Sequence, residues 1–176
     1  MTSILDLACI CPPPGIDAPS VTPDASHGPN GSEIQTDRTL LHEWYGGGCF
    51  NDFLWVYSPG HANRHLDANE RTANLHRVLE RRAAMRIRSR IAELGYTISD
   101  TVSWGGTDNG DLCCWVGTVS DTSAIGLIID CREDVYFEYA GSTGSLIYRL
   151  LNGDESCPIF PEDFWDEEPT FWRPGI

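Results

Sequence analysis

The stretch from Val102 to Val116, Val-Ser-Trp-Gly-Gly-Thr-Asp-Asn-Gly-Asp-Leu-Cys-Cys-Trp-Val, constrains the fold of this chain more than any other. Asn109-Gly110, set between two apolar, aromatic runs, predicts a β-hairpin with a two-residue loop. A type I′ turn needs positive φ at both central residues, and Asn and Gly tolerate it best. The register then follows: Asp108 faces Asp111, Thr107 faces Leu112, and Trp104 stands opposite Trp115. A cross-strand indole pair contributes about 0.5–1.5 kcal/mol beyond its buried area and would pin that register. Two aspartates placed opposite each other do the reverse, so Asp108 and Asp111 need solvent, a cation or a basic partner. They form either a solvated turn or an acidic tip kept for contact. The tetrapeptide also has the look of part of a calcium loop, but the regular ligand spacing and the closing Glu are missing.

The rest of the chain supplies helices and further strands. Residues 12–32 are rich in Pro, Gly, Ser and Asp without apolar periodicity, so residues 1–35 are expected to form an extended or loosely ordered arm ahead of one domain over 36–176. Thr36-Asp37 can cap a short helix in which Leu40, Leu41, Trp44 and Tyr45 share a face, closed by Gly46-Gly47-Gly48. A phosphate cradle at those glycines lacks the strand that should precede it. Phe53–Tyr57 is a strand, stopped by Pro59-Gly60. Asp67 to Leu94 predicts one long helix, with Leu75, Leu79, Ala83, Ile87 and Ile91 at four-residue steps and arginines over the other face. Ala124–Cys131 is apolar on both faces, as in a central strand, and Val135–Tyr139 alternates, with Val135, Phe137 and Tyr139 inward. Ser142 or Thr143 caps a last helix carrying Leu146, Ile147, Leu150 and Leu151, ended by Asn152-Gly153.

Composition narrows the chemistry. The chain has no lysine; all 12 basic residues are arginine. A Walker A loop, a pyridoxal Schiff base and other lysine amine chemistry are therefore excluded. Seven cysteines at irregular spacing do not suggest a disulfide framework, and adjacent Cys113 and Cys114 point to opposite faces of a strand; free, mostly buried thiols are expected. His61 and His65 stand at i, i+4, but position 62 is Ala and no third ligand is evident, so a solvated pair is expected rather than a metal site. No apolar run approaches the ~20 residues that span a bilayer. The short apolar opening Ile4–Ile10 carries Asp6 and lacks a basic flank, which points to the cytoplasm.

The net charge of −14 is unevenly spread. Arg64 to Arg90 holds eight arginines against three acids, giving +5, while the remaining four arginines face 23 acids, leaving −19. Such a field disfavours nucleic acid and attracts basic proteins. From Asp154 to Glu168 the tail has seven acids and no base, interleaved with Phe160, Phe164 and Trp165. Aromatics among carboxylates suit docking on a basic surface, and a tail strapped across its own sheet fits equally well.

Trp104-Gly105-Gly106-Thr107-Asp108-Asn109-Gly110-Asp111 with its following strand, Tyr45-Gly46-Gly47-Gly48-Cys49-Phe50 upstream and Phe160-Pro161 downstream together resemble the SUKH superfamily, the Smi/Knr-type group, over about residues 38–172. Members usually have a Trp-bearing helix and a Leu-Pro pair ahead of this region; the present chain has Ile34-Gln35 and no Trp there. The resemblance implies a single α+β domain, a largely antiparallel twisted sheet with a long helix and short flanking helices. It also implies an immunity protein that binds and neutralises a cognate toxin, often a nuclease, with regulators of cell-wall assembly as the non-toxin alternative. A small enzyme is the third reading, built on Cys113 or Cys114 near a histidine or on Asp108 with Asp111. Neither a cofactor, a metal, nucleic acid nor a membrane is expected as a partner. The contact residues expected are Trp104, Asp108, Asp111 and Trp115 around the hairpin and Glu162, Asp163, Asp166 and Glu167 in the tail.

Overall fold

A computed structural model of the chain describes residues 4–15, 33–81, 86–117, 125–165 and 168–174. Its centre is one seven-stranded sheet, every neighbouring pair antiparallel, in the order β6-β5-β4-β3-β2-β1-β7. The strands are β1 (Gly48–Phe50), β2 (Leu54–Val56), β3 (Thr101–Thr107), β4 (Leu112–Val116), β5 (Ile125–Asp130), β6 (Val135–Ala140) and β7 (Phe171–Trp172). Six of them follow as a meander, and the seventh returns to the far edge. With helices added, the class is α+β in a single domain.

Helices cover both faces. On one side lie α1 (Ile4–Ile10), α2 (Glu33–Trp44) and α5 (Thr143–Leu151), whose Leu7, Leu41, Leu146, Ile147 and Leu150 meet Phe50, Leu54, Trp104, Trp115 and Ile128. On the other, Leu75 and Leu79 of α3 (Ala68–Arg81) and Ile87 and Ile91 of α4 (Arg86–Glu93) meet Cys114, Val116, Leu127 and Ile129. β4 and β5 are therefore apolar on alternate residues in both directions, because each direction ends in a helix layer. The long helical pattern appears as α3 and α4; residues 82–85, with Ala83, lie outside the described residues. Asp67 caps α3 by accepting from the Asn69 N–H at 3.1 Å, and Ser142 caps α5 by accepting from the Ser145 N–H.

Several expectations are corrected. The arm is not extended at its start: α1 buries Ile4, Leu7, Ala8 and Cys11 in the shared core, since an apolar stripe needs a partner whatever the Pro-rich stretch behind it suggests. Residues 16–32 lie outside the described residues. α2 begins at Glu33, before Thr36-Asp37. His61 and His65 stand in the loop ahead of α3, not on a helix. Val135, expected inward, is 41% exposed on the outermost strand. Gly48, the last of the supposed helix-closing glycines, instead opens β1 and leaves room for the Phe171 ring: a Cβ there would lie 2.4 Å from Phe171 Cζ.

The hairpin also differs. Gly110 N–H donates to Thr107 O at 2.9 Å and Thr107 N–H to Asp111 O at 3.2 Å, with Gly110 at φ +86° and Asn109 at negative φ. That is a three-residue loop, a type I turn followed by a left-handed glycine. Thr107 therefore faces Asp111. A bulge at Trp104 shifts the register again, so that Val102, not Trp104, pairs with Trp115. Both indoles still reach one face, where Tyr139 receives Trp104 and Trp115 at centroid distances of 6.5 and 5.4 Å. The Tyr139 ring lies over Gly126 of β5, its cross-strand neighbour, where a Cβ would come within 2.0 Å of Cζ. The type I′ signature occurs elsewhere. Asn51 and Asp52, at φ 46° and 51°, turn β1 into β2, and Phe53 N–H donates back to Phe50 O at 3.0 Å.

Candidate functional site

The two turns meet at one end of the sheet. Asp108 N–H donates to Phe53 O at 3.0 Å, which brings the Asp108-Asn109-Gly110 loop against the Asn51-Asp52 turn. β2 buries Leu54 and Val56, so Trp55 between them points outward. Its Nε1 donates to Asp108 Oδ1 at 2.8 Å. Trp172 of β7 stands beside it, centroid to centroid 5.3 Å and nearly perpendicular, and its Nε1 donates to Asp52 Oδ1. Two indoles are thus held edge to face, each braced by a carboxylate. Trp172 is 40% exposed, one of two large apolar side chains among the described residues to open so far to solvent.

The tail holds this arrangement in place. Asn51 Nδ2 donates to Phe164 O at 2.9 Å, and Asn51 Oδ1 accepts from Thr170 N–H at 2.8 Å. Phe53 packs against Phe160 and Phe164 at 5.1 and 5.7 Å. Arg173 donates to Tyr45 O and Trp44 O at 2.7 and 2.8 Å, satisfying carbonyls at the end of α2. The tail is strapped across its own sheet, and Glu162 and Asp163 between the two buried phenylalanines project to solvent. Beneath the patch, burial pushes the Cys49 thiol up to about 12, with the Asp108 and Asp52 charges adding to the effect.

The expected contact residues divide. Asp108, Glu162 and Asp163 are exposed, and Asp166 and Glu167 lie outside the described residues. Trp104 and Trp115, 2% and 4% exposed, are core side chains, because both point to the sheet face that α1, α2 and α5 cover. Asp111 is also interior, 2% exposed. Its carboxylate accepts the Thr107 hydroxyl proton and lies 3.4 Å from Arg132 Nη2, with Asp130 nearby. Burial raises its pKa most, and the Asp130 charge adds to that; the Thr107 hydrogen bond and Arg132 oppose it. For Asp130 burial also acts upward, yet bonds from the Arg132 side chain and from the backbone of Arg132 and Glu133 leave its pKa below the ordinary value. Asp108 and Asp111 are therefore not a facing pair, because the extra loop residue moves Asp111 opposite Thr107.

The thiols considered for nucleophilic chemistry are sealed in. Cys113 is raised well above its ordinary value and Cys114 to about 12, both chiefly by burial, and a protonated thiol is a poor nucleophile. All seven cysteines are free, and five are buried. Among the described residues no three His, Cys, Asp or Glu side chains converge to hold a metal, and no helix is long and apolar enough to cross a membrane.

Asp52, Trp55 and Trp172 are absent from the expected contact set. A signal for Trp55 exists in the alternation Leu-Trp-Val, which puts one residue outward. Nothing local marks Trp172, whose partner lies over a hundred positions earlier. No family model, curated protein or solved structure matches this chain.

Proposed function

We propose that this chain is a binding protein of the immunity type, which occupies a basic protein toxin and neutralises it. The observation that carries this reading is the exposed Trp172 indole set against Trp55 and braced by Asp52 and Asp108, on a chain of net charge −14. Indole faces attract lysine and arginine heads through their quadrupole, and flanking carboxylates add a charge-assisted hydrogen bond. Tryptophan is also among the side chains most enriched in binding hot spots. Glu162 and Asp163 extend the same negative field, which speeds encounter with a positively charged partner. A nuclease fits this chemistry, since its cleft is built to attract phosphate.

The test is co-expression with a toxin-like product of an adjacent reading frame, followed by calorimetry on the purified pair. Growth rescue and co-purification are expected, with affinity falling as salt rises. Trp172→Ala is expected to weaken binding by about 2 kcal/mol or more, the hot-spot range, and Asp52→Asn with Asp108→Asn, which keep the turn and its acceptor oxygens but remove both charges, to weaken it as well, both with melting temperatures close to the parent. Binding that is indifferent to salt and to these substitutions sinks the proposal. Binding without protection from a toxin points instead to a regulatory scaffold.

A further inference from the structure

The sheet ends differently at its two edges. β7 is two residues long and is held by side-chain bonds through Asn51, Asp52 and Arg173. β6 runs six residues, pairs with β5 over its whole length without a bulge, and among the described residues has no strand on its outer side. Exposed edges of this length are usually blunted by lysine, proline or a bulge. Val-Tyr-Phe-Glu-Tyr-Ala has no proline and no bulge, its one charge, Glu138, is tied back to Arg90, and its first residue, Val135, is the other exposed large apolar side chain.

We propose that two copies of this chain join here, β6 pairing antiparallel with β6 of the second copy about a two-fold axis, so that one sheet runs through both. Strand alternation places Val135, Phe137 and Tyr139 toward the α5 side and Tyr136 and Glu138 toward the α4 side; Phe137 and Tyr139 pack with the first core, and Glu138 takes the Arg90 guanidinium from α4. A two-fold axis perpendicular to the sheet keeps each face continuous, so residues opposite one another come from the same face. Centring the pair on Glu138 would set two carboxylates directly opposite, which is unfavourable. Centring it on Phe137 sets Phe137 against itself, Tyr136 against Glu138 and Val135 against Tyr139. That register covers residues 135–139 and opposes no like charges.

Charge does not oppose this place. Two bodies of −14 repel, and the approach costs least where their acid is offset. α4 flanks β6, and there Arg86 and Arg90 answer Asp134, Glu93 and Glu138, with Arg90 paired to both glutamates. A groove whose lining includes Arg86, Arg90, Glu93, Asp134 and Tyr136 runs between helix and strand and leaves room for the added strand's side chains on that face. The acidic indole patch is at the far end of the strand order, next to β7, so pairing at β6 leaves it open.

Sedimentation equilibrium on the full chain tests this. The mass is expected to climb from 19.5 kDa toward twice that value with concentration, and the association to tighten with added salt as the mutual repulsion is screened. Salt acts in the opposite sense on binding of a basic partner, so the two proposals fail separately. Val135→Lys buries an ammonium inside the overlap and is expected to weaken self-association at least about tenfold, while Ala140→Lys, exposed and outside the overlap, leaves it intact. Circular dichroism on both variants checks that the fold is retained. A mass that stays at one chain at every concentration overturns the inference. So does a dimer that ignores Val135→Lys, or one abolished equally by both substitutions.

Discussion

Asp108 and Asp111 stand three positions apart and meet different dielectrics. Asp108 lies in solvent with an indole N–H on one oxygen, whereas Asp111 is buried against Thr107. A carboxyl raised above its ordinary 3.8 binds more protons folded than unfolded, so its contribution to stability is fully present below that value and is lost as pH rises through the folded value. Asp130 shifts the other way and loses its contribution as pH falls. The Asp111 component is therefore isolated by comparison with Asp111→Asn, which can still accept the Thr107 hydroxyl. Urea unfolding across the acid range is expected to show the variant gaining on the parent as pH rises, and matching it within about 1 kcal/mol at neutrality. Asp111→Arg is expected to unfold the chain, while Asp108→Arg leaves it folded. At this scale the sequence signalled both indoles of the hairpin as important, but not that they are interior. Their burial depends on the helices that cover that face, and on Tyr139, whose ring needs Gly126 beneath it.

Among the elements, α1 departs most from expectation. Seven residues are too few to persist as a helix alone, and a neighbouring Pro-Pro-Pro suggests extension, so local sequence points away from the structure. What holds it is packing: Leu7 is fully buried beneath α5. Leu7→Ala is expected to cost about 2–5 kcal/mol, the range for a truncated core leucine, in a single transition that far-ultraviolet dichroism follows. A loosely attached arm would give no measurable change. α5 was legible to within one residue, Ser142 and not Thr143 being its cap, because its cap, its apolar stripe and its closing glycine all agree. The hairpin was legible in kind and not in register. Asn109-Gly110 prescribes a turn, but hydrogen bonding of Asp108 to Phe53 and Trp55 gives the loop a third residue.

Over the whole molecule, the central strands could be read because both of their faces are apolar, which requires cover on each side. β1 and β7 could not, being two or three residues long and paired across more than 120 positions. The excess of acid acts on stability as well as on partners. Self-repulsion at −14 favours expansion, and screening relieves it. Raising sodium chloride is thus expected to lift the melting temperature by about 2–4 °C, equivalent to about 1 kcal/mol for a chain of this size; a fall would mean that the internal arginine pairs dominate. The indole patch draws on residues 51–55, on Asp108 and on residues 170–173, three segments that meet only when the last strand is seated. If the patch binds as proposed, recognition is conditional on completeness: a molecule nicked or frayed at that strap keeps most of its interior yet offers a lone tryptophan, and a target would discriminate finished copies from defective ones.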